Sequence, residues 1–160
     1  MSSLATDQVT RVNSKWVLRS GDVSEAYIKH LITTLPSTCL YNREGALLGY
    51  ALTYHYGCLG VLYVLEEHRG NGYGKVAMSQ LALKHLQKKK EVFVMIQCVN
   101  VASIKMHEAI GFEGSRQVTT STSWFSWSLT LSSMGPIQLM FLVVAHLSKE
   151  EQLLLINVRL

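Results

Sequence analysis

Between an apolar run and a helical pattern stands Arg69-Gly70-Asn71-Gly72-Tyr73-Gly74-Lys75. Glycines at every second position, Gly70, Gly72 and Gly74, leave main-chain N–H groups unshielded by side chains, just where a helix N-terminus adds partial positive charge. Such a turn suits a phosphate. A dinucleotide fingerprint would need G-x-G-x-x-G after a first strand. The spacing here is G-x-G-x-G, and three strand-like runs precede it. A P-loop would need Ser or Thr after Gly-Lys, whereas Val76 follows Lys75.

The surrounding pattern supplies a strand, this turn and a helix. Asp22 with Glu25 is a capping-box-like start, and Val23, Tyr27, Ile28, Leu31 and Ile32 follow at helical spacing up to Pro36, predicting a helix over 23–34. Strands are expected at 38–41, 46–56 and 58–65, separated by the turn Asn42-Arg43-Glu44-Gly45 and by Gly57, hence antiparallel. Val76, Ala77, Leu81, Leu83 and Leu86 predict a helix from 75 to about 89. The run 92–99 is β-branched and nearly all apolar, which predicts a strand covered on both faces and parallel to 58–65 through a right-handed crossover. A second short helix is expected over 100–110, ended by Gly111, with Phe112 returning to the core and a hairpin from 113–118 and 124–129 beyond. The fold class is therefore α/β, with a central mixed sheet, antiparallel N-terminal strands and one β-α-β unit.

The 160 residues suffice for one domain, placed over 1–130, followed by an atypical apolar tail over 131–160. Charged residues are 16% and hydrophobic ones 48%, so the chain folds rather than staying disordered. The net charge of +4 is scattered, and the one run, Lys88-Lys89-Lys90, reads as a solvated helix end, which argues against a nucleic-acid partner. Cys39, Cys58 and Cys98 have no C-x-x-C pairing and no histidine at ligand spacing, so buried free thiols are expected and no metal. Residues 1–14 hold no apolar signal core, and the opening stretch is serine-rich with Arg11, Lys15 and Arg19 against one acid, Asp7, a faint likeness to a mitochondrial presequence. From Gln117 to Ser148 no charged residue occurs. The densest part, 137–147, is too short to span a bilayer, so a packing helix is the main reading and a membrane segment the alternative.

R-x-x-G-x-G, matched by Arg69, Gly72 and Gly74 after a strand and before a helix, an apolar strand, Asn100 and Gly111-Phe112, resembles the GNAT acyltransferase superfamily. Within it, Val12-Asn13, Trp16, Ser24, Tyr27-Ile28, Pro36-Ser37, Cys39, Gly57 and the run from Leu65 through Glu67-His68-Arg69 to Val76 are similar to the acyltransferase half of the glycine N-acyltransferase family. The resemblance covers about 7–112; the family's full chain carries a further N-terminal half. It implies a GNAT fold with acyl-CoA as cosubstrate. Backbone N–H groups of Gly70, Asn71, Gly72, Tyr73, Gly74 and Lys75 would hold the coenzyme A pyrophosphate beside Arg69. The strand end Leu62-Tyr63-Val64, with Asn100, would hydrogen-bond the pantetheine arm. By the same resemblance the address is mitochondrial, with the cytoplasm as the alternative.

The family likeness also implies roles at the reacting centre. Glu67 occupies the place of a general base that turns the acceptor's ammonium into the nucleophilic amine. Glu66 stands where the family usually has proline. His107 lies seven residues after Asn100, where many GNAT enzymes place a tyrosine acid for the departing thiolate, and imidazole can do that work near neutral pH. Their structural alternatives are a loop acid, a helix-surface histidine and, for Asn100, a helix cap. An N–H near Val64 would meet the tetrahedral oxyanion. The expected reaction is acyl transfer from acyl-CoA to glycine or a similar small amino acid, by direct attack in a ternary complex. The alternatives are a GNAT N-acetyltransferase acting on a protein amine and an inactive CoA-binding relative.

Overall fold

The computed structural model describes residues 2–88, 91–115 and 124–130. The apolar tail over 131–160, its membrane alternative, residues 89–90 of the lysine run and residues 116–118 of the expected hairpin lie outside them.

Three consecutive strands pair antiparallel: β1 (Ser37–Tyr41), β2 (Leu47–Thr53) and β3 (Leu59–Val64). The first turn closes because Asn42 Oδ1 accepts the Ala46 N–H at 2.7 Å and Gly45 adopts φ +86°. The second begins at Tyr54, whose N–H donates to the Cys58 carbonyl at 2.8 Å, with Gly57 at φ +87°. That turn ends β2 at Thr53, three residues earlier than the expected Tyr56. Two helices precede the sheet, α1 (Val9–Lys15) and α2 (Gly21–Thr34). Helix α3 (Tyr73–Leu86) then carries the chain to β4 (Glu91–Gln97), which lies parallel to β3 as a crossover demands. Helix α4 (Val101–Ala109) leads to β5 (Glu113–Ser115) and β6 (Trp124–Thr130), and the sheet runs β1-β2-β3-β4-β6-β5.

Apolar residues form two clusters. One joins α3, through Val76, Ala77, Met78, Leu81 and Leu86, to Leu48, Leu59, Val92 and Val94 of the sheet and to Ile110 and Phe112 after α4. The other joins Val9 and Val12 of α1 and Ile28, Leu31 and Ile32 of α2 to Cys39, Leu47, Tyr50 and Leu52. Strand β2 is buried along its whole length between them. Two buried polar pairs set the docking of α3: the Thr38 hydroxyl donates to Gln80 Oε1 at 2.9 Å, and Thr53 Oγ1 lies 2.8 Å from His85 Nε2.

Strand β4 departs from expectation. It alternates rather than being covered on both faces: Val92, Val94 and Ile96 are buried, while Met95 is 44% exposed. Its second face borders an open cleft, which explains an apolar side chain there without a covering element. Of the three cysteines, Cys39 and Cys58 are buried and Cys98 is half-buried, all free thiols. Burial pushes the Cys58 thiol up to about 11, out of the reactive range.

Candidate functional site

The cleft opens because β3 and β4 meet at a single register pair among the described residues, Leu59 with Val94, and part beyond it. On the other edge of β3, the pairing with β2 slips between Tyr50 and Leu52, so that three steps of β3 oppose two of β2. Val61 sits in that bulge at φ +46°, a left-handed conformation costly for a β-branched residue. Backbone strain of this kind persists where the surrounding structure imposes it, often beside a functional site. Here it borders a cleft of about 260 Å³.

One wall is β3, with Leu62 and Tyr63; the other is β4, with Met95, Ile96 and Gln97. Met78 of α3, the C-terminal end of α1 with Lys15 and Trp16, and Asn100, Ser103 and His107 around α4 complete the lining. Leu62, Tyr63, Asn100 and His107 thus line one cleft. Val64, Glu67, Arg69 and the turn through Lys75 do not line this cleft; they follow from the end of its β3 wall.

Each of these has a defined place. Gly70 and Gly72 have φ +80° and +81°, so the backbone itself requires glycine at both. Gly72 precedes α3, and no side chain caps the helix. The Val76 N–H reaches the Gly72 carbonyl at 3.1 Å, leaving the preceding N–H groups of Tyr73, Gly74 and Lys75 without a partner inside the helix. Gly74 is a different case: a Cβ there would lie 3.8 Å from Leu62 Cδ2 and Val64 Cγ2, an ordinary contact. The fold does not need that glycine. Asn71 Nδ2 donates to the carbonyls of His68 and Arg69, both at 3.3 Å, so its side chain braces the turn. Arg69 Nε donates to the Val64 carbonyl at 3.1 Å, which ties the Arg69 side chain to the end of β3.

Glu67 lies in a short 3-10 turn, Glu66–His68, and is exposed. Asn100 caps α4, its Oδ1 accepting the Ser103 N–H at 3.1 Å, and the same residue lines the cleft. His107 is not a surface histidine. It is 3% exposed, with Nδ1 2.8 Å from the Ser103 carbonyl oxygen, and desolvation lowers its pKa from the ordinary value, partly opposed by that carbonyl.

Lys15, Val17, Leu18, Val61 and Ser103 also line the cleft, and composition and spacing did not single them out. The signal for α1 was present in Val9, Val12, Asn13 and Trp16, which recur at helical spacing. Lys15 Nζ stands 5.8 Å from the centre of the Tyr63 ring and Arg69 Cζ stands 5.5 Å from it, so two cations converge on one aromatic side chain at the cleft.

A model of the FR47-like protein family matches residues 39–124, more than half of the chain. Glycine N-acyltransferase-like protein 1B of Homo sapiens is 27% identical over 128 residues, covering 79% of this chain and 40% of that protein. Glycine N-acyltransferase-like protein Keg1 of Rattus norvegicus is 28% identical over 120 residues, covering 73% of this chain and 38% of that one. The chain thus spans about two fifths of the length of these curated relatives. Among solved structures, a GNAT superfamily phosphinothricin acetyltransferase from Sinorhizobium meliloti, in complex with AcCoA, superposes with a TM-score of 0.67 over 81% of this chain and 86% of that one. At 18% identity that likeness is one of fold.

Proposed function

We propose, for a chain that belongs to the FR47-like protein family as a glycine N-acyltransferase-like member of the GNAT superfamily, that it transfers an acyl group from acyl-CoA to the amino group of glycine or a similar small amino acid. The observation that carries this reading is the wedge between β3 and β4, whose β3 wall runs on into a glycine turn and an uncapped helix start. In an open α/β sheet, ligands lie beyond the carboxyl ends of parallel strands. The residues present suit coenzyme A: N–H groups of Tyr73, Gly74 and Lys75 face a pyrophosphate, and Gly74 keeps the approach clear. The names of the two curated relatives support glycine, and the AcCoA held by the phosphinothricin acetyltransferase supports a CoA-type donor.

The chemistry is direct aminolysis of a thioester. The acceptor arrives as an ammonium ion with no lone pair, and one proton must leave before attack. Glu67, exposed at the turn after β3, takes that proton, directly or through water, and hands it to solvent. The amine attacks the thioester carbon, a backbone N–H of the β3 wall steadies the oxyanion, and the carbon–sulfur bond breaks. An amino acid also brings a carboxylate. Lys15 and Arg69, flanking Tyr63, give that anion a partner, which favours a free amino acid over an uncharged amine.

The test is an acceptor screen with the purified chain: acyl-CoA and amino acids are mixed, free thiol is measured and the product is weighed by mass spectrometry. Thiol release matched by acylglycine is the expected result. Acylation of peptide amines alone would move the acceptor to proteins, and coenzyme A binding with no acylation of any amine would leave a CoA-binding relative.

A further inference from the structure

We infer that Arg11 binds a second carboxylate on the acceptor, so that an amino acid with an acidic side chain is taken in preference to its neutral isostere. Between α1 and the β2–β3 pair lies a small recess of about 10 Å³, which shares Lys15, Tyr50 and Tyr63 with the cleft and adds Arg11. The two spaces adjoin at one lysine. Arg11 and Lys15 are both exposed and stand one turn apart on α1, which puts their Cβ atoms about 5–6 Å apart on one face of the helix. The recess itself has room for about one water, so an anion sits at its mouth, between the two cations.

Each cation is held in place. Arg11 Nη2 donates to the Leu47 carbonyl at 3.4 Å, at the start of β2, and Lys15 Nζ stands 5.8 Å from the centre of the Tyr63 ring. Tyr63 stacks on Tyr50 at 5.8 Å between ring centres, which gives the recess an aromatic floor. Burial and the neighbouring Tyr63 push the Tyr50 hydroxyl up, and the Arg11 charge opposes them, so the field of the guanidinium reaches that floor. Arg69, which also stands over Tyr63, already has Glu66 at 3.8 Å. Arg11 and Lys15 have no ion-pair partner among the described residues, and no described carboxylate lines the recess or the cleft. Like charges at this helical spacing repel, and an anion between them removes that cost.

This acceptor class rests on the aminolysis proposed above and narrows its substrate. The α-carboxylate that every amino acid carries meets Lys15, where recess and cleft adjoin. Arg11 then remains for a side-chain carboxylate. Aspartate supplies one, whereas asparagine has the same shape without the charge. Glycine is still bound, through its α-carboxylate alone. Arg11 touches no reacting atom and makes or breaks no bond; it decides which acceptor stays.

Steady-state kinetics with aspartate and asparagine as paired acceptors tests this. Wild type should use aspartate with a kcat/KM about tenfold above that for asparagine, the size of one charge-assisted contact. Arg11→Met keeps the apolar stem and removes the charge; it should raise KM for aspartate about tenfold and leave KM for asparagine within about twofold. Arg11→Lys, which keeps a charge, should restore most of the preference. Equal use of the two acceptors by wild type overturns the inference, as do equal losses for both in Arg11→Met, the mark of a structural role. A weakened Kd for coenzyme A in Arg11→Met also overturns it, because the cation would then be meeting a phosphate of the cosubstrate. If wild type acylates no amine, the enzyme reading fails by itself. Isothermal titration of aspartate and of asparagine into the protein with coenzyme A then decides: tighter aspartate binding that Arg11→Met abolishes retains the site, and equal binding rejects it.

Discussion

Leu59 and Val94 form the register pair through which β3 and β4 meet in parallel, and no other pair joins those strands among the described residues. On its other side β4 is paired along its full length with β6, from Glu91 with Thr130 to Gln97 with Trp124. The sheet is therefore zipped on one side of β4 and unzipped on the other. The unpaired backbone of β3 beyond Leu59 faces a space that a ligand's amide groups can fill.

Two glycines packed against Val64 at the end of β3 should separate fold from binding. Gly74→Ala places a Cβ at ordinary contact distance within a helix, where alanine is favoured over glycine by up to about 1 kcal/mol. Its Tm should hold or rise, while the Kd for coenzyme A should weaken at least tenfold. Gly49→Ala does the reverse: its Cβ would lie 2.9 Å from the Tyr63 carbonyl oxygen, which is backbone and cannot swing away. That variant should lose about 1–3 kcal/mol of stability in a denaturant titration. A Gly74→Ala protein with unaltered coenzyme A affinity would remove the turn from the site.

Glu67→Gln should slow aminolysis 100-fold or more at neutral pH with little change in coenzyme A binding, as expected for loss of a general base. The deficit should shrink as pH rises, since the free amine then supplies itself. A stopped-flow thiol assay across pH reads both points. A deficit independent of pH would mean that Glu67 acts by another route.

Much of this geometry is legible in the sequence. The periodicity of 23–34 and of 75 to about 89 marks the two long helices, which span Gly21–Thr34 and Tyr73–Leu86, Gly45 and Gly57 mark the hairpin turns, and R-x-x-G-x-G marks the glycine turn that leads into α3. What is hidden is set by register. The bulge that puts Val61 at φ +46° depends on how β3 is paired with β2, and no residue type announces it. The apolar face of β4 misleads for the same reason: Met95 looks like core in a list of residues, but the parting of the strands makes it a cleft wall. Helix α1 escapes notice because seven residues carry few apolar positions, and Lys15 at its end becomes part of the site only when α1 folds over Tyr63.

Lys15→Met keeps the length of the side chain and removes its charge. If Lys15 meets the acceptor carboxylate, KM for glycine should rise roughly tenfold, a loss of about 1.4 kcal/mol of binding. KM for acyl-CoA should not move. Glycinamide, which lacks the carboxylate, should be used equally by both proteins. Steady-state kinetics with the two acceptors gives the answer, and an equal loss with glycinamide would reject the carboxylate contact.

His107 predicts how stability depends on pH, independently of any reaction. Its folded-state pKa lies below the ordinary histidine value of 6.5, because burial penalises the imidazolium. Where pH lies between the lowered value and 6.5, the unfolded chain binds the proton and the folded chain does not, so acidification favours unfolding. The contribution is fully present above 6.5 and is lost as pH falls from there toward the folded-state pKa, with a slope of at most about 1.4 kcal/mol per pH unit for one proton. His107→Gln cannot titrate, so urea titrations from pH 7.5 down to pH 5 should show a shallower fall in stability for the variant than for wild type. Parallel curves would mean that the imidazole is already solvated in the folded protein. A steeper wild-type curve would show that the folded protein holds the imidazole in its neutral form before any substrate arrives.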